Sequence, residues 1–186
     1  MTSLGPGQLR PAGPADAEAV ARLHADSWRR HYRGAYSDAF LDGDVERDRL
    51  AVWSERLEQV HDSHATFLAE NGGMLVGFVH VVFDEDRSWG ALIDNIHVDA
   101  ASQRCGVGTG LMAVAAGAVV ERSAPTGLYL WVLEQNVAAQ AFYVARGGGR
   151  VERAPVVAPG GVSGRLNGHP MKLRFVWTDL RVLVGG

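Results

Sequence analysis

Ile96-His-Val-Asp-Ala-Ala-Ser-Gln-Arg-Cys-Gly-Val-Gly-Thr-Gly-Leu-Met112 is the stretch on which the reading of this chain turns. A β-rich run ends at Val98, a polar turn follows, and glycines open an Ala/Val/Leu-rich helix. Free amides at a helix N-terminus, with no Cβ at Gly106 or Gly108 to block approach, make a site for a pyrophosphate. In a dinucleotide or S-adenosylmethionine fold the glycines follow the strand almost directly, and an acidic residue ends the next strand. Glu134 fills the second role, but seven residues separate Val98 from Gly106. That gap suits a loop that folds back over a pyrophosphate while the strand end holds another part of the ligand.

Outward from this stretch, hydrophobic periodicity and turn residues set out the remaining elements. Gln8–Pro11 reads as a first strand. Pro14-Ala-Asp opens a helix with Ala17, Val20, Ala21 and His24 at helical spacing and Asp16 and Glu18 favourably placed in its first turn. One helical region is expected from Ser37 to Val60. Thr66–Glu70 and Leu75–Phe83 read as a hairpin about Asn71-Gly72-Gly73, with Asp84–Ser88 as the next turn. Leu92–Val98 is a strand, Gly106–Arg122 a largely buried helix, Gly127–Leu133 a strand, and Asn136–Arg146 a helix closed by glycines. Arg150–Arg153 and Lys172–Thr178 are the last strands, and residues 154–170 form a long loop. The chain is expected to be one mixed α/β domain over residues 1–186, with residues 1–6 a flexible lead.

Composition narrows the function. With 186 residues, 47% of them hydrophobic, the chain can bury a core without disulfides or metals. A net charge of -3 with interleaved signs gives no footprint for a phosphate backbone, so nucleic acid is not an expected partner. Cys105 is the single cysteine, which suits a reducing, cytoplasmic compartment and excludes a cysteine zinc cluster. Residues 1–14 lack a secretory pattern, and the longest apolar stretch, Leu111–Val120, is too short to cross a bilayer, so no membrane association is expected. Seven histidines raise the question of metal, but His61 and His64 are the only close pair and read as a solvated face; no metal is expected.

Gln103-Arg-Cys-Gly-Val-Gly108 resembles the Gln/Arg-x-x-Gly-x-Gly/Ala signature of the GNAT superfamily of N-acetyltransferases. Asn136-Val-Ala-Ala-Gln-Ala-Phe-Tyr-Val-Ala-Arg-Gly147 is similar to that family's Asn-x-x-Ala-x-x-Phe-Tyr-x-x-x-Gly pattern. With these motifs the resemblance covers roughly Leu75 to Arg153, and the element order extends it over nearly the whole chain. One departure is Gly147-Gly148 where the family usually has Gly-Phe. The resemblance implies a mostly antiparallel sheet splayed at the cofactor site, helices on both faces, and direct transfer of acetyl from acetyl-coenzyme A to an amine. It further implies that the amides of Arg104, Cys105, Gly106, Val107, Gly108 and Thr109 cradle the pyrophosphate while Gln103 orders the turn. Main-chain groups of Ile96, His97 and Val98 would pair with the pantetheine arm, and Asn136 and Tyr143 would complete the cofactor site.

The Val98 amide is the candidate donor to the thioester oxygen, and Tyr143 the candidate acid toward the departing thiolate. Alternation along Leu92–Val98 puts Asp94 on the face of Ile96 and Val98, making it the first candidate to take the amine's proton, with Asn95, His97, Glu70 and Glu134 as alternatives. Trp28 and Tyr32, with His31 and Tyr36, are expected to shape the acceptor site, where an aromatic wall would suit a cation or an apolar amine. Cys105 is expected to contribute its backbone rather than a nucleophilic sulfur. The remaining partner is a small-molecule or peptide amine, and an apolar strand from Phe175 to Val184 could support a homodimer edge. Rival readings are an S-adenosylmethionine methyltransferase and a non-catalytic acyl-coenzyme A binding module.

Overall fold

Alternation of apolar residues along seven strands builds the central layer, and the computed structural model describes residues 7–59, 61–122 and 127–185 of the chain. The expected flexible lead, residues 1–6, lies outside them. In chain order the elements are β1 (Gln8–Pro11), α1 (Ala17–His31), α2 (Asp38–Asp42), α3 (Val45–Glu58), β2 (His64–Asn71), β3 (Met74–Asp86) and β4 (Gly90–Val98). They continue with α4 (Val107–Arg122), β5 (Leu128–Leu133), α5 (Val137–Ala145), β6 (Gly149–Pro155), β7 (Met171–Trp177) and α6 (Arg181–Val184).

The sheet runs β1-β2-β3-β4-β5-β7-β6, and every neighbouring pair is antiparallel except β4 and β5. The mixed α/β sheet expected from the sequence is therefore present. One face buries Val79, Val81, Ile93, Leu128, Leu130 and Phe175 against Leu111, Met112, Ala115 and Val119 of α4. The other face buries Leu68 and Phe78 against Val20 and Ala21 of α1 and Trp53 and Leu57 of α3.

Three expectations need correction, and a fourth gains detail. The helix expected over Ser37–Val60 is two helices, α2 and α3, parted at Gly43, where an added Cβ would stand 2.7 Å from the Ala39 carbonyl oxygen. The Asp84–Ser88 turn begins later, because β3 carries on to Asp86 and the Asp86 carboxylate accepts the Ser88 and Trp89 amides. The long loop lies between β6 and β7 and carries two short 3-10 turns, Pro159–Gly161 and Ser163–Arg165, with Leu166 bridging to Tyr36. No edge strand runs from Phe175 to Val184: β7 ends at Trp177 between β5 and β6, and residues 181–184 are helical, so that segment cannot supply a dimer edge.

The corner where Gly148 replaces the family's usual Phe is filled from elsewhere. Trp177 of β7 is fully buried there, its Nε1 donates to the Arg146 carbonyl at 2.9 Å, and an added Cβ on Gly148 would stand 2.7 Å from its ring. Small at 148 and large at 177 thus form one packing unit. Overpacking a close contact of this kind costs about 1–3 kcal/mol, so Gly148→Ala is expected to lower the thermal midpoint by roughly 2–10 °C. Gly149→Ala, whose Cβ would meet only the Val176 carbonyl oxygen at 4.0 Å, is the control in the same melting experiment and should shift the midpoint far less.

Candidate active site

β4 and β5 start together and then part. Their parallel pairing is confined to Ala91–Leu128, Leu92–Tyr129 and Ile93–Leu130, although β4 runs on to Val98 and β5 to Leu133. At the origin Gly90 and Gly127 bring their backbones into contact: an added Cβ on Gly90 would lie 2.2 Å from the Gly127 carbonyl oxygen, which accepts the Ala91 amide at 3.1 Å. Beyond Ile93 the facing edges of the two strands have no partner in each other. The Asp99 amide donates to Val76 of β3 at 2.8 Å, so by alternation the Val98 and Ile96 main-chain groups face the gap and those of His97 face β3. Of the three residues expected to offer main chain to a pantetheine arm, His97 does not point that way. Its side chain turns instead to α1, where Ser27 Oγ and His97 Nδ1 share a hydrogen bond of 2.7 Å.

The glycine-rich turn closes one end of the gap. Arg104 and Gly106 hold φ of 60° and 84°, a left-handed pair that aims successive amides outward ahead of α4. Gly108 has a different reason from the one its spacing suggested: an added Cβ would stand 3.3 Å from the Phe142 ring, so the missing side chain lets α5 pack against α4. Asn136 caps α5 by accepting the Ala139 amide at 3.2 Å. A cleft of about 650 Å³ runs between the two helix N-termini, lined by Ile96, Val98, Gln103, Arg104, Gly106, Gly108, Thr109, Asn136 and Tyr143. Cys105 and Val107 stand outside that lining. The Cys105 thiol contacts the Gln103 carbonyl at 3.5 Å, and the Val107 side chain is buried in the core. Phe142, Ala138 and Arg146 line the cleft as well; the helical period of the second motif could have indicated them.

A second, smaller cavity of about 100 Å³ opens from the cleft at Ile96, Val98 and Tyr143 and continues past Asp94, Tyr32 and Trp131. Burial raises the Tyr143 pKa, with the neighbouring Tyr32 adding to it, so the phenol keeps its proton at neutral pH. Tyr32 is pushed up to about 12, chiefly by burial and then by the Asp94 charge.

Asp94 does not share a face with Ile96. Pairing slips between His80–Asn95 and Val81–Ile93, leaving Asp94 as the extra residue of a β-bulge. Its carboxylate stands 2.8 Å from Arg56 of α3, off the direction of a hydrogen bond, and accepts from the Asn95 side-chain Nδ2 at 2.6 Å. Glu70 pairs with Arg10 at 2.6 Å and Glu134 with Arg153 at 2.8 Å, and neither lines the gap.

Beneath the small cavity lies a group of histidines whose association the sequence did not suggest. His24 is fully buried, accepts Trp53 Nε1–H at 3.0 Å, and stacks on His97 at 4.5 Å between centroids. Burial lowers the His24 pKa, and burial with the His31 charge brings His97 down to about 3. His80, hydrogen-bonded to Thr66 at 2.8 Å, is lowered to about 3 by burial and the Arg56 charge. Among the described residues no group of His, Cys, Asp or Glu is arranged to hold a metal, and no helix is long and apolar enough to cross a membrane.

Residues 22–147 match the family described as the acetyltransferase (GNAT) family. The chain belongs to that family. It is 28% identical over 137 residues to a probable N-acetyltransferase of Mycobacterium tuberculosis, covering 73% of this chain and 76% of that one. Among solved structures it resembles a GCN5-related N-acetyltransferase from Rhodopseudomonas palustris, at 21% identity and a TM-score of 0.72 over 96% of this chain and 99% of the other. It also resembles the PaiA N-acetyltransferase of Thermoplasma acidophilum in complex with coenzyme A, at 14% identity and a TM-score of 0.71 over 91% and 98%. A third is Arabidopsis thaliana NAA60 in complex with acetyl-CoA, at 16% identity and a TM-score of 0.67 over 91% and 97%.

A histidine held neutral in the fold but free to protonate when unfolded makes stability depend on pH. Because the folded pKa of His80 lies below its unfolded value, its contribution is full above pH 6.5 and is lost toward about pH 3. Lowering pH from 7 to 5 should cost about 2 kcal/mol through this residue. Denaturant midpoints at the two pH values, for the protein and for His80→Gln, test this: the variant should show the smaller pH-dependent change.

Proposed function

We propose that this acetyltransferase moves the acetyl group of acetyl-coenzyme A directly to a primary amine of a small molecule or peptide. The observation that carries the reading is the unpaired edge of β4 at Ile96 and Val98, which meets the glycine-rich turn at one end and Tyr143 at the other. The turn suits a diphosphate: amides from Arg104 to Thr109 lie where left-handed backbone opens a helix, and the Arg104 guanidinium can add a charged contact. Gln103 and Asn136 border the same cleft. The main-chain groups of Ile96 and Val98 offer an amide arm the pairing that β5 does not take up.

In the transfer, the amine nitrogen forms a bond to the acetyl carbon as the carbon–sulfur bond breaks. The Val98 amide stabilises charge on the thioester oxygen without reorganisation. Tyr143 gives its proton to the leaving sulfur, and the amine's proton goes to Asp94, directly or through water. The bulge serves this role by turning Asp94 toward the small cavity rather than into the core. Tyr32 borders the acceptor side, whereas Trp28, expected beside it, is buried under Arg49 and lines neither cavity; the cytoplasm is the compartment that a lone, unpaired cysteine suits.

Thermal melting with acetyl-coenzyme A, coenzyme A and S-adenosylmethionine in parallel separates this reading from a methyltransferase. The first two should raise the midpoint and the third should not; a shift with S-adenosylmethionine alone would overturn the proposal. Tyr143→Phe separates it from a non-catalytic binding module. Thiol release in the presence of an amine panel should fall roughly 10²-fold while acetyl-coenzyme A still stabilises the variant; no thiol release from the unaltered protein with any amine would favour the binding module.

A further inference from the structure

The aromatic wall that suggested a cationic acceptor already holds the protein's own cations. The Arg49 guanidinium lies 4.3 Å over the Trp28 ring and that of Arg165 lies 4.5 Å over Phe40. Both arginines share Asp48, at 2.5 and 2.6 Å. Asp94, which lines the small cavity, has the Arg56 guanidinium 2.8 Å from its carboxylate. The carboxylates that could have drawn a polycation are therefore already matched by arginines.

One cation here is not matched. Lys172 of β7 is half-buried, its Nζ lies 4.4 Å over the ring of Trp131, and among the described residues no carboxylate stands within ion-pair distance of it. Trp131 lines the small cavity with Asp94 and Tyr143. Arg174, 4.6 Å from the same ring, differs in having Glu152 at 3.1 Å and Asp86 at 3.5 Å. A half-buried ammonium with an aromatic face in contact, and the Glu152 and Asp94 carboxylates only beyond ion-pair distance, is under-compensated, since a cation–π contact replaces only part of its lost hydration. Burial and the Arg174 charge accordingly lower its pKa.

Register places Lys172 opposite Leu133, on the strand next to β5. Two paired strand spacings would be about 10 Å, and because β4 and β5 have parted at this level the lysine backbone stands farther than that from the reacting edge of β4, a span its own stem and an acceptor with a spacer bridge together. A lone ammonium, without the fork of an arginine or a nest of amides, matches a singly charged carboxylate better than a phosphate dianion.

We infer that the acceptor is an amine that also carries a carboxylate, and that Lys172 binds that carboxylate across the face of Trp131 while the amine sits at the gap between β4 and β5. The inference rests on the acetyltransferase reading above and narrows its acceptor class.

The test compares kcat/KM for a series of aminocarboxylates of increasing spacer length with that for the N-methylamide of each, using the protein and the variants Lys172→Met, Lys172→Arg and Lys172→Glu. Carboxylates should be preferred over their amides. Lys172→Met should lower kcat/KM for the carboxylates about 30-fold or more, through KM, and leave the amides unchanged, while Lys172→Arg restores much of the preference. Lys172→Glu should reverse it toward diamines. Equal turnover of acids and amides by the unaltered protein, an equal loss for both in Lys172→Met, or transfer to neutral amines alone would overturn the inference. Acetyl-coenzyme A stabilisation of each variant, measured alongside, separates the two levels. Stabilisation together with turnover of neutral amines sinks only the acceptor class; its absence in the unaltered protein sinks the acetyltransferase reading and the inference with it.

Discussion

Contact between Gly90 and Gly127 is the constraint on which the rest of the molecule depends. It ties the starts of β4 and β5 so closely that no side chain fits between them, and the parallel ladder it begins lasts only three residues. A sheet that kept pairing would consume the main-chain groups of Ile96 and Val98 and leave no room between the layers. Because the strands are pinned at one end and free at the other, the gap widens toward α4 and α5, whose N-termini both open on it. The packing of Phe142 over Gly108 then fixes the separation of those two helices.

The two faces of the sheet differ in chemistry. Beneath α4 the core is aliphatic and aromatic and makes little polar demand, apart from Tyr143 at its border and the Trp177 indole N–H, which the Arg146 carbonyl accepts. Beneath α1 and α3 it holds His24, His80 and Arg49, each with a partner: Trp53, Thr66 and Asp48. Buried polar groups of this kind cost free energy unless hydrogen-bonded, and they define orientation in a way that aliphatic packing does not. The ring of His97 is held between Ser27 and His24 as a result, on the wall of the small cavity.

Local patterns carried most of the fold into view. The Asn71-Gly72-Gly73 hairpin, the helix opening at Gly106 and the helix beginning at Asn136 are each written in neighbouring residues, and each is where expected. The division of the second helical region at Gly43 was hidden because Leu50, Trp53 and Leu57 keep a helical period past the break. The side of the sheet on which Asp94 lies was hidden for a different reason. A bulge is set by the pairing partner, here the slip from His80 to Val81 on β3, and no property of residues 92–98 alone announces it. Contacts between distant segments were equally out of reach: Trp177 against Gly148, His97 on Ser27, and Lys172 over Trp131 join residues whose separation in the chain bears no relation to their types.

The order of the strands bears on how the chain is made. β6 leaves the ribosome before β7, yet its only partner in the sheet is β7, which must insert between it and β5. From β1 to β4 each strand pairs with its immediate neighbour in the chain, so that half can form as it emerges. The exposed side of β5, the corner at Trp177 and the cationic face beyond Trp131 must wait for residues 171–177. Until then β5 presents an open edge of Leu128, Leu130 and Val132, and a chain stalled or truncated before residue 171 would carry an adhesive strand instead of a finished catalytic cleft.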